Sequence, residues 1–353
     1  MKNKLETIQA LRGLAAFLVV VTHVAGTLSP HFLSPSWIVS TKIHWLGGIG
    51  VDIFFCISGF IMAYTFDGKT GLFPSWKFIA KRVLRIYPVY IIFTLWCLYF
   101  IKPQYLNDIG MIIDSILLTA PTMSTGHPYL IIGQGWTLQY EMYFYIIFAL
   151  TILMTKRLSV VAIVIASFYA VTSFNPGLLG PYGFMTSNAV VLDFIMGMGV
   201  AWVYKKGWLN IIPSISPLTA VVAMGLLLSL SCYLAVFNQV DKLYSFGMVA
   251  CLILIVALKS TFSGSALGRA SVFVGEASYT TYLVHLLPLG YIITIIRAYD
   301  LHGANADLVI AISTIAITLI SCILYVLIEK NIVAITAELF RKKEVRIDTA
   351  SKA

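Results

Sequence analysis

The sequence predicts an all-α fold, a polytopic membrane bundle of about ten transmembrane helices with no soluble domain. Composition is the first reason. Hydrophobic residues make up 59% of the 353 positions and charged residues only 11%, against about 45–50% and about 25% in soluble domains. The mean hydropathy is +0.90. So few charges could not cover a water-exposed globule, and the chain lacks the polarity that keeps disordered chains unfolded. Spacing is the second reason. A hydrocarbon core of about 30 Å takes roughly 20 apolar residues per helix, and ten windows approach that length.

The first window, 8–28, follows Lys2 and Lys4 but carries Arg12 and His23 and lacks a small-residue cleavage site. It reads as a retained span, not a signal peptide. The second (46–66) opens on glycines, and the third (83–101) follows a Lys-Arg run. The stretch 106–120 is apolar but short and holds Asp108 and Asp114, so it is expected to lie on the surface or re-enter. The remaining windows are 136–155, 158–173, 187–204, 215–237, 243–260, 279–297 and 307–328. Pro, Gly and Ser cluster between windows, at 29–30, 71–75, 175–183 and 213–217, marking loops. One bundle over 1–335 and a basic cytoplasmic tail over 336–353 account for the chain. Cys56, Cys97, Cys232, Cys251 and Cys322 lack metal or redox spacing and read as small buried apolar residues.

The net charge of +9 resembles a nucleic-acid signal only until it is sorted. With a cytoplasmic N-terminus, only Lys42, Lys102, Lys242 and Arg297 of the 24 basic residues fall on the outer side. That asymmetry is the positive-inside rule. It predicts both termini in the cytoplasm and no nucleic-acid partner.

Ionisable residues inside a bilayer cost at least about 2.5–3.5 kcal/mol each and mark sites of function. Arg12 and His23 stand eleven residues apart, on one face and about 16 Å along the axis. His23, in the outer half, can take a proton from a hydroxyl near neutral pH. Asp52, Glu141 and Asp193 fall near the outer ends of three other windows, so the four groups are expected at one level in a polar chamber. A carboxylate there could steady an imidazolium, as in an Asp–His pair, or bind a sugar hydroxyl or a cation. Arg82 and Arg85, three residues apart, share a face at the cytoplasmic level with Arg12. Paired guanidinium forks suit phosphate, although a positive-inside flank has the same composition. His285 and Glu329 are expected on the cytoplasmic side, with His285 as a satisfied core histidine. A phosphate-binding mouth half a membrane from a base would suit a long, thin donor such as acyl-coenzyme A.

Six blocks carry a resemblance. They are IQALRGLAAFLVVVTHV (8–24, with Arg-x10-His), GGIGVDIFFCISGFIMAY (47–64), KRVLRIYPVY (81–90), GWTLQYEMYFY (135–145), GEASYTTYLVHLLP (275–288) and YVLIEK (325–330). In this order they resemble acyltransferase family 3, the bacterial integral-membrane O-acyltransferases of exopolysaccharide, O-antigen and nodulation factor. The resemblance implies transfer of an acyl group, usually acetyl, from cytoplasmic acetyl-coenzyme A to a carbohydrate hydroxyl at the outer face of the bacterial inner membrane. No metal is expected, since the cysteines lack ligand spacing. The resemblance makes His23 the catalytic base or acyl relay, and Arg12, Arg82 and Arg85 the residues holding the coenzyme. Asp52 and Glu141 are expected in catalysis, and Ser58, Tyr143 and Asp193 at the acceptor. A proton-coupled secondary transporter is the alternative, since buried carboxylates and histidine also make proton relays. No inverted repeat is visible in its support.

Overall fold

The computed structural model describes residues 2–119, 130–261 and 264–338. The basic tail expected at 336–353 lies outside them from 339 on. The described residues form helices and connecting turns, and the sole extended pairing among them is an isolated bridge between Ile215 and Ser260. The expected all-helical architecture is present.

In chain order the main helices are α1 (Lys2–Leu28), α2 (Gly47–Thr65), α3 (Leu72–Phe100), α4 (Ile109–Leu117), α5 (Trp136–Met154) and α6 (Ser159–Phe174). They continue with α7 (Val190–Lys205), α8 (Pro217–Cys232), α9 (Met248–Lys259), α10 (Ala266–Glu276), α11 (Ser278–Val284), α12 (Leu289–Ala298) and α13 (Ala306–Leu324). Local chemistry sets several starts. Asp108 caps α4 by accepting from the Met111 N–H at 2.9 Å. Ser216, Ser265 and Asn305 cap α8, α10 and α13 in the same way, satisfying N–H groups the first turn leaves unpaired. The nine-residue α4 is too short to cross a bilayer, as its sequence suggested. It is anchored to α3 instead, with Tyr90 donating to the Ser115 carbonyl at 2.7 Å.

Helices fill all ten apolar windows, but by length and hydropathy six qualify as membrane spans, or seven if the bent pair α11–α12 is one. The helices in the windows at 158–173 and 187–204 are only 16 residues long. Large apolar side chains such as Leu218 and Val221 on α8 and Ile312 and Leu319 on α13 are exposed, as lipid-facing surfaces require.

Backbones meet where side chains are smallest. In α2 and α7, a Cβ on Gly59 would run into the Phe194 carbonyl oxygen, and one on Gly197 into that of Cys56. Small residues at such crossings let membrane helices approach closely. Gly275 of α10 likewise lies against the Gln9 carbonyl of α1. That contact lines up α10 and α11 beside α1 in the same direction, because Gly13 meets Gly275 and His23 meets His285.

Two helix starts differ from expectation. α3 begins at Leu72, so Arg82 and Arg85 stand about three turns inside a helix instead of at its mouth. Lys77 and Lys81 lowered the hydropathy there without interrupting the helix. The ninth window hid a longer path. α10 precedes it but contains Arg269, Ser271 and Glu276, so its hydropathy is low. As a result His285, expected at the cytoplasmic level with Arg12, lies instead at the level of His23.

Candidate active site

A cleft opens among α1, α2, α3, α5 and α11, with about 860 Å³ of free space including its mouth. Arg12, Arg82 and Arg85 all line it. Arg12 is partly buried and is held by a bond from its guanidinium to Gln9 Oε1 at 3.0 Å. Arg82 lies over two aromatic rings, 5.6 Å from the Phe78 centroid and 5.4 Å from that of Tyr145. Its fork is thereby oriented along the wall. Three guanidinium groups from two helices thus share one concave surface. That is the chemistry of a polyanion site.

Glu141 stands in the same cleft. It accepts from the Tyr145 hydroxyl and, at 3.3 Å, from the Ser58 hydroxyl. Ser58 therefore joins the arginine cleft through Glu141. Tyr145 and Glu141 lie one helical turn apart on α5, the spacing that lets side chains meet. Tyr279 and Tyr282 complete the wall from α11. Tyr279 donates to the Ile86 carbonyl at 2.9 Å, tying α11 to α3. Glu329, also expected on the cytoplasmic side, is buried and accepts from Thr280 Oγ1 at 2.5 Å.

Asp52 and Asp193 are elsewhere. Both carboxylates are 1% exposed, and Lys242 approaches Asp52 Oδ2 at 3.7 Å. Gly247 lets Asp193 fit, since a Cβ there would collide with Asp193 Oδ1. Tyr143 packs between Phe144 and Phe168, with ring centroids 5.7 and 6.4 Å away, and does not line the cleft. His23 is exposed, and its nearest polar partners are the Val19 carbonyl at 2.8 Å and His285 Nε2 at 3.3 Å.

The single polar chamber expected from the sequence is therefore three groups. Glu141 belongs with the arginines, Asp52 with Asp193 and Lys242, and His23 with His285. The azimuth of each carboxylate depended on how the helices pack, and the levels of the arginines and of His285 on where their helices begin. Tyr145, Tyr279, Tyr282 and His285 were missed as site residues. The clue was their place in the GWTLQYEMYFY and GEASYTTYLVHLLP blocks.

The family profile described as "Acyltransferase domain" matches residues 5–327. The chain belongs to acyltransferase family 3. It is 30% identical over 305 residues to the exopolysaccharide production protein ExoZ of Rhizobium meliloti (strain 1021), covering 81% of this chain and 89% of that protein. It is 26% identical over 328 residues to the acyltransferase MdmB of Streptomyces mycarofaciens, covering 82% and 80%. No solved structure matches. Family membership and apolar helices together make the chain a membrane acyltransferase.

Proposed function

We propose that the protein transfers an acetyl or other short acyl group from cytoplasmic acyl-coenzyme A to a hydroxyl of a cell-surface carbohydrate. The observation that carries this reading is the cleft in which Arg12, Arg82 and Arg85 converge, with Tyr282 in its wall and His285 three residues further along. Acyl-coenzyme A presents phosphates at one end and a thioester at the end of a long arm. The guanidinium groups suit the phosphates, and the arm points past Tyr282 toward His23. The exopolysaccharide role in the name of the Rhizobium relative supports a polysaccharide acceptor.

His23 acts as base. Its Nδ1 is engaged by Val19 and His285, and Nε2 has no hydrogen-bond partner among the described residues. Nε2 takes the acceptor's hydroxyl proton while the oxygen bonds to the acyl carbon and the carbon–sulfur bond breaks. Glu141 serves the cleft, holding Ser58 and Tyr145 against the donor. Neither Asp52 on α2 nor Asp193 on α7 is a partner of His23, whose ring is held by Val19 and His285, so both support the bundle or the acceptor path. Both termini are cytoplasmic, with ten crossings of the inner membrane. A proton-coupled transporter would instead depend on Asp52, Asp193 and Lys242, and would have no use for three arginines in one cleft.

The test uses purified protein in nanodiscs, radiolabelled acetyl-coenzyme A, and base-deacetylated surface polysaccharide of the producing cell as acceptor. The wild type should label the polysaccharide. His23→Ala should bind the coenzyme normally and transfer at least about a hundredfold more slowly, the scale of lost general-base catalysis. Full activity in that variant would refute the assignment.

A further inference from the structure

Two imidazole rings meet between α1 and α11, with centroids 4.8 Å apart and planes inclined by 58°. His285 is fully buried. Its Nδ1 lies 2.7 Å from the Tyr282 carbonyl oxygen. A carbonyl can only accept, so Nδ1 carries the proton, and in the neutral ring Nε2 is a bare acceptor. That acceptor faces His23 Nδ1 at 3.3 Å. The same argument applies to His23: Nδ1 is 2.8 Å from the Val19 carbonyl and therefore carries its proton. One N–H is thus offered to two acceptors, and the lone pair of His23 is left on Nε2.

From this geometry we infer that His285 is a positioning residue for acyl transfer. It accepts from His23 Nδ1–H, holds the ring so that Nε2 is the base, and stabilises the imidazolium formed during the reaction. The inference rests on the reading of His23 as base. The logic is that of a Ser-His-Asp triad, in which a third group fixes the tautomer, with a neutral imidazole where the carboxylate would be. The moving proton goes from acceptor hydroxyl to His23 Nε2 and then to the departing thiolate sulfur. The Nδ1 proton stays in place throughout, and His285 neither gains nor loses one. Val19 alone could not do this as well, because a helix carbonyl holds one edge of the ring while His285 also packs beside its face. Tyr282 adds a connection to the donor. It lines the arginine cleft, supplies the carbonyl that orients His285, and its hydroxyl donates to the Gln134 carbonyl at 3.3 Å. A donor arm pressing on Tyr282 therefore bears on the His285 ring.

His285→Leu removes the acceptor, and His285→Gln keeps an amide oxygen able to accept from His23. In the assay above, His285→Leu should lose about tenfold or more in kcat, with KM for acetyl-coenzyme A within about twofold, and His285→Gln should recover most of the loss. A leucine variant with wild-type kcat, or a folded glutamine variant no better than leucine, overturns the inference while leaving an inactive His23→Ala and the transferase reading intact. A wild type that transfers nothing brings down both. If the leucine variant does not fold, ¹⁵N-histidine spectra of the wild type decide. His285 should show a protonated Nδ1 and a bare Nε2, and a protonated Nε2 there overturns the proposal.

Discussion

A guanidinium is a planar fork whose strength lies in two parallel bonds to one anion. Arg82 has that fork held over Phe78 and Tyr145, 5.6 and 5.4 Å from their ring centroids, while Arg85 on the same helix face is exposed at the cleft. Hydrogen bonds to charged groups contribute about 1.5–3 kcal/mol, or about tenfold to a hundredfold in affinity. Arg82→Ala and Arg85→Ala should each weaken coenzyme A binding to that extent by calorimetry, and Arg→Lys should restore only part, since an ammonium cannot grip two oxygens in a plane. Removing the 3′-phosphate from the ligand should reduce the cost of one of these substitutions. Residue types were legible at this scale. Arg12, Arg82 and Arg85 do share a surface, as their spacing suggested, whereas Tyr143 was expected at the acceptor and packs on Phe168 instead. Its block is dense in aromatic residues, and the sequence could not say which of them face inward.

Among elements, the α2–α7 crossing is closed by a glycine on each side. Gly59 and Gly197 each face a backbone carbonyl of the other helix, and backbone cannot move aside as a flexible side chain can. Gly197→Ala should cost about 1–3 kcal/mol, seen as a lower midpoint of thermal unfolding in detergent. Gly199→Ala, where an added Cβ meets nothing within 4 Å, should leave the midpoint unchanged. The sequence offered close packing or loop geometry for both glycines without separating them. α10 and α11 show a related limit. Arg269, Ser271 and Glu276 reduce the hydropathy of α10, so the helix that runs beside α1 was unseen, and His285 was not expected beside His23.

For the whole molecule, distant segments are tied at the ends of the bundle. At one end Asp307 accepts from Ser36 Oγ at 2.6 Å and from the Trp37 and Ile38 N–H groups at 2.9 and 3.2 Å. At the other, Lys205 donates to the Ala63 and Phe66 carbonyls at 2.8 and 3.3 Å. In the orientation proposed above, the Asp307 end is the outer one. In a chain whose native cysteines are replaced by serine or alanine, a cysteine at exposed Leu33 should react with an impermeant maleimide added to intact spheroplasts. One at exposed Ile211 should react only after the membrane is opened. The reverse pattern would invert the orientation, and with it the cytoplasmic position of the arginine cleft.

By itself the sequence determined that this chain is helical and that it belongs in a bilayer. Those properties are sums over many residues, and the transfer of apolar surface and charge between water and lipid depends little on which helix neighbours which. It also determined the family, through six short blocks in order. Only the tertiary structure decided which charges meet. A helix fixes the depth of a side chain, but its azimuth is set by packing against other helices, here through glycine contacts that bring backbones together. That is why Glu141 joins Arg12, Arg82 and Arg85, why Asp52 faces Lys242, and why a histidine 262 positions away lies against His23.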